Sequence, residues 1–276
     1  MNLLPEKANR AAAGLLALAA LSLAPVPAAL GQEGKTPVAA SAAVPDPAAE
    51  PEIEPEAVAI LKAAGEWLSS QASYALTAEI EYDEVYGDDT RVRVGGRVEL
   101  LARRPDRFKV FLDGDRGRKT YTYDGRAFVL TDLRSKTWAS SPVSGPNDAA
   151  VDTIVGKLGV VVPLSDFLLS RGVYGVDEIR AAWVVGRGRV GGKRCHQVLV
   201  MLDDLDFQVW IEADGNPVIR KIVLSYREAP GRPQFEATFL EWHPGAPFSD
   251  YVFSFLPDPT FRRVELAVPS APEGKK

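Results

Sequence analysis

Read at a step of two, residues 205–212 (LDFQVWIE) set Leu205, Phe207, Val209 and Ile211 on one face and Asp206, Gln208 and Glu212 on the other, the mark of a half-buried strand. Segments 217–227, with Leu224, and 233–243, with Phe239, repeat the habit, and Asp214-Gly215-Asn216 and Pro230-Gly231-Arg232 supply turns between them. The C-terminal quarter therefore reads as an antiparallel meander. The first half alternates in the same way. In 74–86, Tyr74, Leu76, Ala78, Ile80 and Tyr82 oppose Thr77, Glu79, Glu81 and Asp83; in 90–102, Val92, Val94, Val98 and Leu100 oppose Arg91, Arg93, Arg97 and Glu99. The acidic face of the former against the basic face of the latter predicts that these two strands pair. Gly95-Gly96 suggests a bend or bulge. Runs at 107–112 (Val110, Leu112), 118–124, 126–132, near 136–138, 182–190 and 193–202 bring the expectation to ten or eleven strands. In Val198 to Leu202 both faces are apolar, so this strand should be covered on both sides.

Two stretches break the rhythm. Over 56–71, Val58, Leu61, Ala64, Trp67 and Leu68 recur at helical spacing behind Pro55, a first-turn proline. Over 147–170, Asn147 or Asp148 can cap a helix carrying Val151, Ile154, Val155 and Leu158, and after Gly159 and Pro163 a second short helix, 164–170, presents Leu164, Phe167 and Leu168. The fold class is mainly β (α+β): a wrapped antiparallel sheet with helices plugging its open side.

The N-terminus sets the compartment. Lys7 and Arg10 precede the apolar run Ala11 to Ala24, and Pro25 and Pro27 lead to Ala29-Leu30-Gly31, the layout of a secretory signal cleaved near Gly31. The run is short of the roughly 20 apolar residues a spanning helix needs, so no stable transmembrane segment is expected after cleavage. Residues 32–55, rich in Ala, Pro and Glu, read as a disordered linker, 56–268 as one domain and 269–276 as a disordered tail. The formal charge of −5 argues against a nucleic-acid partner. One cysteine allows no internal disulfide, so the exported domain must stand on its hydrophobic core.

At VPLSDFLL (162–169), CHQVLV (195–200), DFQVWIE (206–212), PVIRKIVLSY (217–226) and PQFEATFLEW (233–242), the chain resembles the predicted periplasmic proteins of domain-of-unknown-function family 2092. The resemblance runs through roughly residues 55–268. That family is similar in fold to the lipoprotein carriers of the LolA, LolB and LppX type. The resemblance implies an unclosed barrel of about eleven strands, with a helical lid over an apolar cavity, and assigns no catalytic residue.

Chemistry finds little foothold. Cys195 and His196 are strand neighbours and point to opposite faces, so they make no joint site. Two histidines and one cysteine do not supply a zinc set, and Asp203-Asp204-Leu205-Asp206 reads as a hairpin turn rather than a calcium loop. Gly186-Arg187-Gly188-Arg189 with Gly191-Gly192 looks like a phosphate loop but lies between strands, not before a helix. No metal, cofactor or enzymatic activity is expected. The expected function is a soluble periplasmic protein that carries or senses a lipid acyl chain or a lipidated protein. Its cavity would be lined by Leu76, Ile80, Val92, Val94, Val98, Leu100, Val110, Leu112, Phe207, Val209, Ile211, Leu224 and Phe239, and its lid formed by Val151, Ile154, Val155, Leu158, Phe167 and Leu168. The alternative is a non-enzymatic module that holds an envelope protein partner in the same groove.

Overall fold

A computed structural model describes residues 52–87, 89–170 and 179–266; the expected signal sequence, most of the linker and the tail lie outside them. Among the described residues twelve strands form one sheet: β1 (Ser73–Tyr86), β2 (Thr90–Arg103), β3 (Arg107–Gly114), β4 (Gly117–Tyr123), β5 (Ala127–Asp132), β6 (Thr137–Pro142), β7 (Ala181–Val190), β8 (Lys193–Met201), β9 (Leu205–Glu212), β10 (Ile219–Tyr226), β11 (Gln234–Pro244) and β12 (Arg262–Arg263). The spatial order is β12-β6-β5-β4-β3-β2-β1-β11-β10-β9-β8-β7, and the sheet is not closed. Two meanders, β1 to β6 and β7 to β11, are therefore joined through β1 and β11. The expected pairing of β1 with β2 holds along its whole length. The strand beyond the expected number, β12, adds to β6 in parallel.

This order dictates where the break at 147–170 must go. Strand β6 ends near one margin of the sheet and β7 lies at the other, so the chain between them has to traverse the sheet's width. An apolar connection can do so only along the apolar face. Both margins are also occupied. The backbone at 52–54 clips onto β7, with Ala182 N–H donating to the Glu52 carbonyl (3.0 Å) and Glu54 N–H to that of Ala182 (2.7 Å). Glu54 also accepts the Val184 N–H at 2.7 Å.

Helix α1 (Pro55–Ser69) has its proline in the first turn, as its missing N–H allows, and buries Ala57, Leu61, Ala64 and Leu68, while Val58 and Trp67 flank that stripe. Three local expectations change. Strand β2 keeps an unbroken register at Gly95-Gly96, with no bulge; a Cβ on Gly96 would come within 3.0 Å of the Asp113 carbonyl oxygen, so glycine here admits the close approach of β3. Asp83 does not face solvent: it is buried, accepting Gln234 N–H at 2.9 Å and pairing with Arg93 Nε at 3.0 Å. Neither Asn147 nor Asp148 caps the mid-chain helix. Pro146 holds that position, Asn147 is buried, and Asp148 accepts from the Ser170 N–H and hydroxyl.

Candidate functional site

Strand register gathers the expected lining onto one face. Across β3, β2, β1, β11, β10 and β9, Val110 stands opposite Leu100, Leu100 opposite Leu76, Val98 opposite Ala78, Ala78 opposite Phe239, and Ile80 opposite Ala237; Ile222 then meets Val209, and Leu224 meets Phe207. Because side chains alternate with a period of two, this one parity puts Leu76, Ile80, Val98, Leu100, Val110, Phe207, Val209, Ile211, Leu224 and Phe239 into a single buried cluster. Val94 is buried on the same parity, and Leu112 is half-buried. Val92 departs from the expectation. It shares the parity but is 41% exposed, near the strand end and beyond the cover.

The cover is the traversing segment. Helix α2 (Asn147–Val151) continues without a break into a π-turn at Asp152–Lys157, and a 3₁₀ turn follows at Ser165–Leu168. Regular helix thus gives way where the sequence spacing predicts two α-helices. Val151, Ile154, Phe167 and Leu168 are buried against the sheet, with Val155 and Leu158 half-buried beside them. Phe167 stacks on Phe239 at 4.8 Å and on Trp242 at 5.9 Å, and Trp242 in turn meets Trp67 of α1 at 5.6 Å. The cover's one aromatic ring, that of Phe167, is therefore part of an aromatic cluster shared with β11 and α1.

Hydrogen bonds fasten the cover at one end of the strands. The Tyr74 hydroxyl donates to the Phe167 carbonyl. Arg104 donates to the carbonyls of Leu168 (3.0 Å) and Leu169 (3.1 Å), the Tyr123 hydroxyl to that of Gly145 (2.6 Å), and Asn147 N–H to that of Pro105 (2.7 Å). Burial pushes the Tyr74 phenol up, so it stays a neutral donor at any pH the protein meets. Sequence reasoning passes over Tyr74, Arg104 and Tyr123 as fasteners. Their partners are carbonyls more than twenty residues away, and such pairings leave no local pattern. Two polar groups at this rim are left over: Arg104 Nε has no hydrogen-bond partner, and the Asn147 side chain is 1% exposed with neither its Oδ1 nor its Nδ2 partnered.

At the opposite end of β1 the inward parity ends in charge. Glu84 accepts from Arg116 Nε at 2.9 Å and from the Tyr86 hydroxyl at 2.9 Å, which closes that end with a polar clamp. Cys195 and His196 face opposite sides as expected, opposite Glu212 and Ile211 respectively. Burial pushes the Cys195 thiol up, which disfavours the thiolate a nucleophile would need. Among the described residues, no group of three or more His, Cys, Asp or Glu is placed to hold a metal ion, and no helix is long and apolar enough to cross a membrane.

Residues 57–267 match the family described as "Predicted periplasmic protein (DUF2092)". No curated protein matches the chain. Among solved structures it is similar to the lipoprotein LppX of Mycobacterium tuberculosis, at 10% identity over 70% of this chain and 98% of that one, with a TM-score of 0.43. It is similar to a LolA superfamily protein from Nitrosomonas europaea at 10% identity, over 72% and 97% of the two chains, with a TM-score of 0.37. MucB in the MucA/MucB complex of Pseudomonas aeruginosa is 14% identical over 72% of this chain and 61% of MucB, with a TM-score of 0.40.

Proposed function

Because the chain belongs to the predicted periplasmic protein family DUF2092, we propose that it is a periplasmic binding protein whose guest is a lipid acyl chain, free or carried on a lipidated protein. The observation that carries this reading is the cover: a connection of mixed helical geometry lies on the apolar face of an unclosed sheet, held at its rim by side-chain bonds to its carbonyls. Ile154, Val162, Phe167 and Leu168 are its most buried large apolar side chains. At roughly 1.5–3 kcal/mol for each, lifting them into water costs about 6–12 kcal/mol. An acyl chain of about 16 carbons, at ~0.8 kcal/mol per methylene, offsets that when it takes their place. In this reading the cover and the guest compete for the same apolar face, and Phe167 stands where the guest would lie.

Loosening the rim separates this reading from others. The double variant Tyr74→Phe and Arg104→Gln removes the bonds to Phe167, Leu168 and Leu169 while leaving the buried apolar residues in place. It should bind a fluorescent fatty acid several-fold more tightly, because a larger share of molecules is open and competent. Mass spectrometry of the protein purified from the envelope should show co-purified acyl species. Unchanged fatty-acid affinity together with lipid-free protein would sink the reading, and a co-purified polypeptide in place of lipid would favour a partner's apolar segment as the guest.

A further inference from the structure

A concavity lies away from the apolar face, at the tip of the β7–β8 hairpin. It is a cleft of about 250 Å³ lined by Arg189, Gly192, Lys193, Arg194, Glu212 and Asp214. Its charge runs against that of the molecule. In a chain of formal charge −5, the cleft and its immediate surroundings gather the cations Arg187, Arg189, Lys193, Arg194 and Arg220 around two carboxylates. Those carboxylates are already engaged. Arg194 grips Asp214 with both arms of its guanidinium, at 2.7 and 2.8 Å, and Arg220 holds Glu212, whose side chain is almost fully buried. Asp214 is held below the usual carboxylate range, first by its hydrogen bond from Arg194 and further by the fields of Arg187 and Arg189. Lys193 shares Glu212 with Arg220, at 3.9 Å, so five cations meet two carboxylates and three positive charges are in surplus, with Arg187 and Arg189 at the rim.

The site is preorganised. Gly191 and Gly192 both adopt positive φ (54° and 78°), the tight two-residue turn that side chains other than glycine resist. Arg189 Nη1 donates to the Gly192 carbonyl at 3.1 Å, which folds that side chain over the turn. Glu212 of the cleft stands on the face opposite Ile211, so the apolar face is reached from the cleft's rim, at Arg187, whose charge acts on Asp214. Arg187 pairs with His196, His196 with Ile211 and Ile211 with Ile219, whose carbonyl accepts the Trp242 indole N–H at 3.0 Å. One row across the sheet thus passes from exposed guanidinium, through a half-buried imidazole whose Nδ1 lacks a partner, to buried aliphatic side chains and the aromatic cluster beneath the cover.

We propose that this cleft binds a phosphoryl group, and that the group heads an apolar chain lying along the row; the second clause rests on the acyl-binding reading above. Clustered arginines suit a phosphoryl group because their forked donors match its oxygens, and charge-assisted bonds of this kind are about twice as strong as neutral ones. The glycine-rich wording at 186–192 thus reaches phosphate chemistry by side chains, with no helix behind it.

Calorimetry with three soluble probes, inorganic phosphate, dihexanoyl phosphatidic acid and dihexanoylglycerol, tests both clauses on the full-length protein and on Arg187→Gln/Arg189→Gln/Lys193→Gln. These three side chains are exposed, so the variant should fold, as a circular-dichroism melt would verify. The phosphatidic acid should bind about tenfold or more tightly than the diacylglycerol, and the variant should erase that difference while keeping diacylglycerol affinity. Equal binding of the two lipids by both proteins overturns the cleft and leaves the acyl reading standing. Phosphate binding that the variant loses, with neither lipid binding better than phosphate, supports a free-anion site and overturns the headgroup clause. No binding by any probe overturns both.

Discussion

Glu84 occupies an inward position of β1, where the alternation asks for an apolar residue, and it is tolerated because Arg116 and Tyr86 satisfy both of its oxygens. The hydrogen bond from Arg116 lowers its carboxyl below the ordinary range. A depressed carboxylate stabilises the fold above its unfolded pKa of about 4.3, and that contribution fades as pH falls through the lower folded value. Urea unfolding should therefore show Glu84→Gln clearly weaker than the parent at pH 7, with the gap narrowing below about pH 4. A gap that stays constant down to pH 3 would mean that the charge does not matter. Asp83, one residue earlier, was legible as a polar position but not as a buried one. Its burial depends on Arg93 of β2 and on the Gln234 N–H at the start of β11, which only the fold brings together.

The strands were the readable elements, since a period of two survives in the sequence wherever one face is buried, and the register at Leu76, Leu100 and Val110 follows from it. The cover was less readable. Its apolar spacing foretold burial at Ile154 and Phe167, yet not the π-turn, nor that Pro146 would displace Asn147 from the capping position. Asn147 uses its N–H on Pro105 and turns its amide inward without partners, a cost of about 1–3 kcal/mol borne by the cover. A cover assembled this way should open more readily than the sheet. Hydrogen exchange should find the amides of 150–168 less protected than those of β1 and β2. Asn147→Leu, close in shape and free of polar atoms, should slow exchange in the cover by about fivefold or more. Equal protection of cover and sheet would remove the case for a gate.

On the scale of the whole molecule, the long mid-chain traverse follows from topology: two meanders joined at β1 and β11 leave their loose ends at opposite margins. The chain needs no closure of the sheet because its own terminal segments lie over those margins. Residues 52–54 bond to Ala182 and Val184, and at the far side Arg262 N–H donates to the Lys136 carbonyl (2.9 Å) and Val264 N–H to that of Trp138 (2.8 Å). Neither arrangement could be foreseen from alternation, since each involves two or three residues in segments of otherwise irregular composition. Unpaired edges template association with further chains. A protein shortened to begin at Ala57, where the family similarity starts, should run as oligomers in size-exclusion chromatography under conditions where one beginning at Gln32 elutes as a monomer. Identical elution would show that the edge of β7 is harmless when bare.

The clip at 52–54 also makes homology a poor guide to where this domain can be cut. A handful of upstream residues, invisible to family similarity, act as the hem of the fabric, and trimming them for convenience would invite neighbouring molecules to sew themselves on.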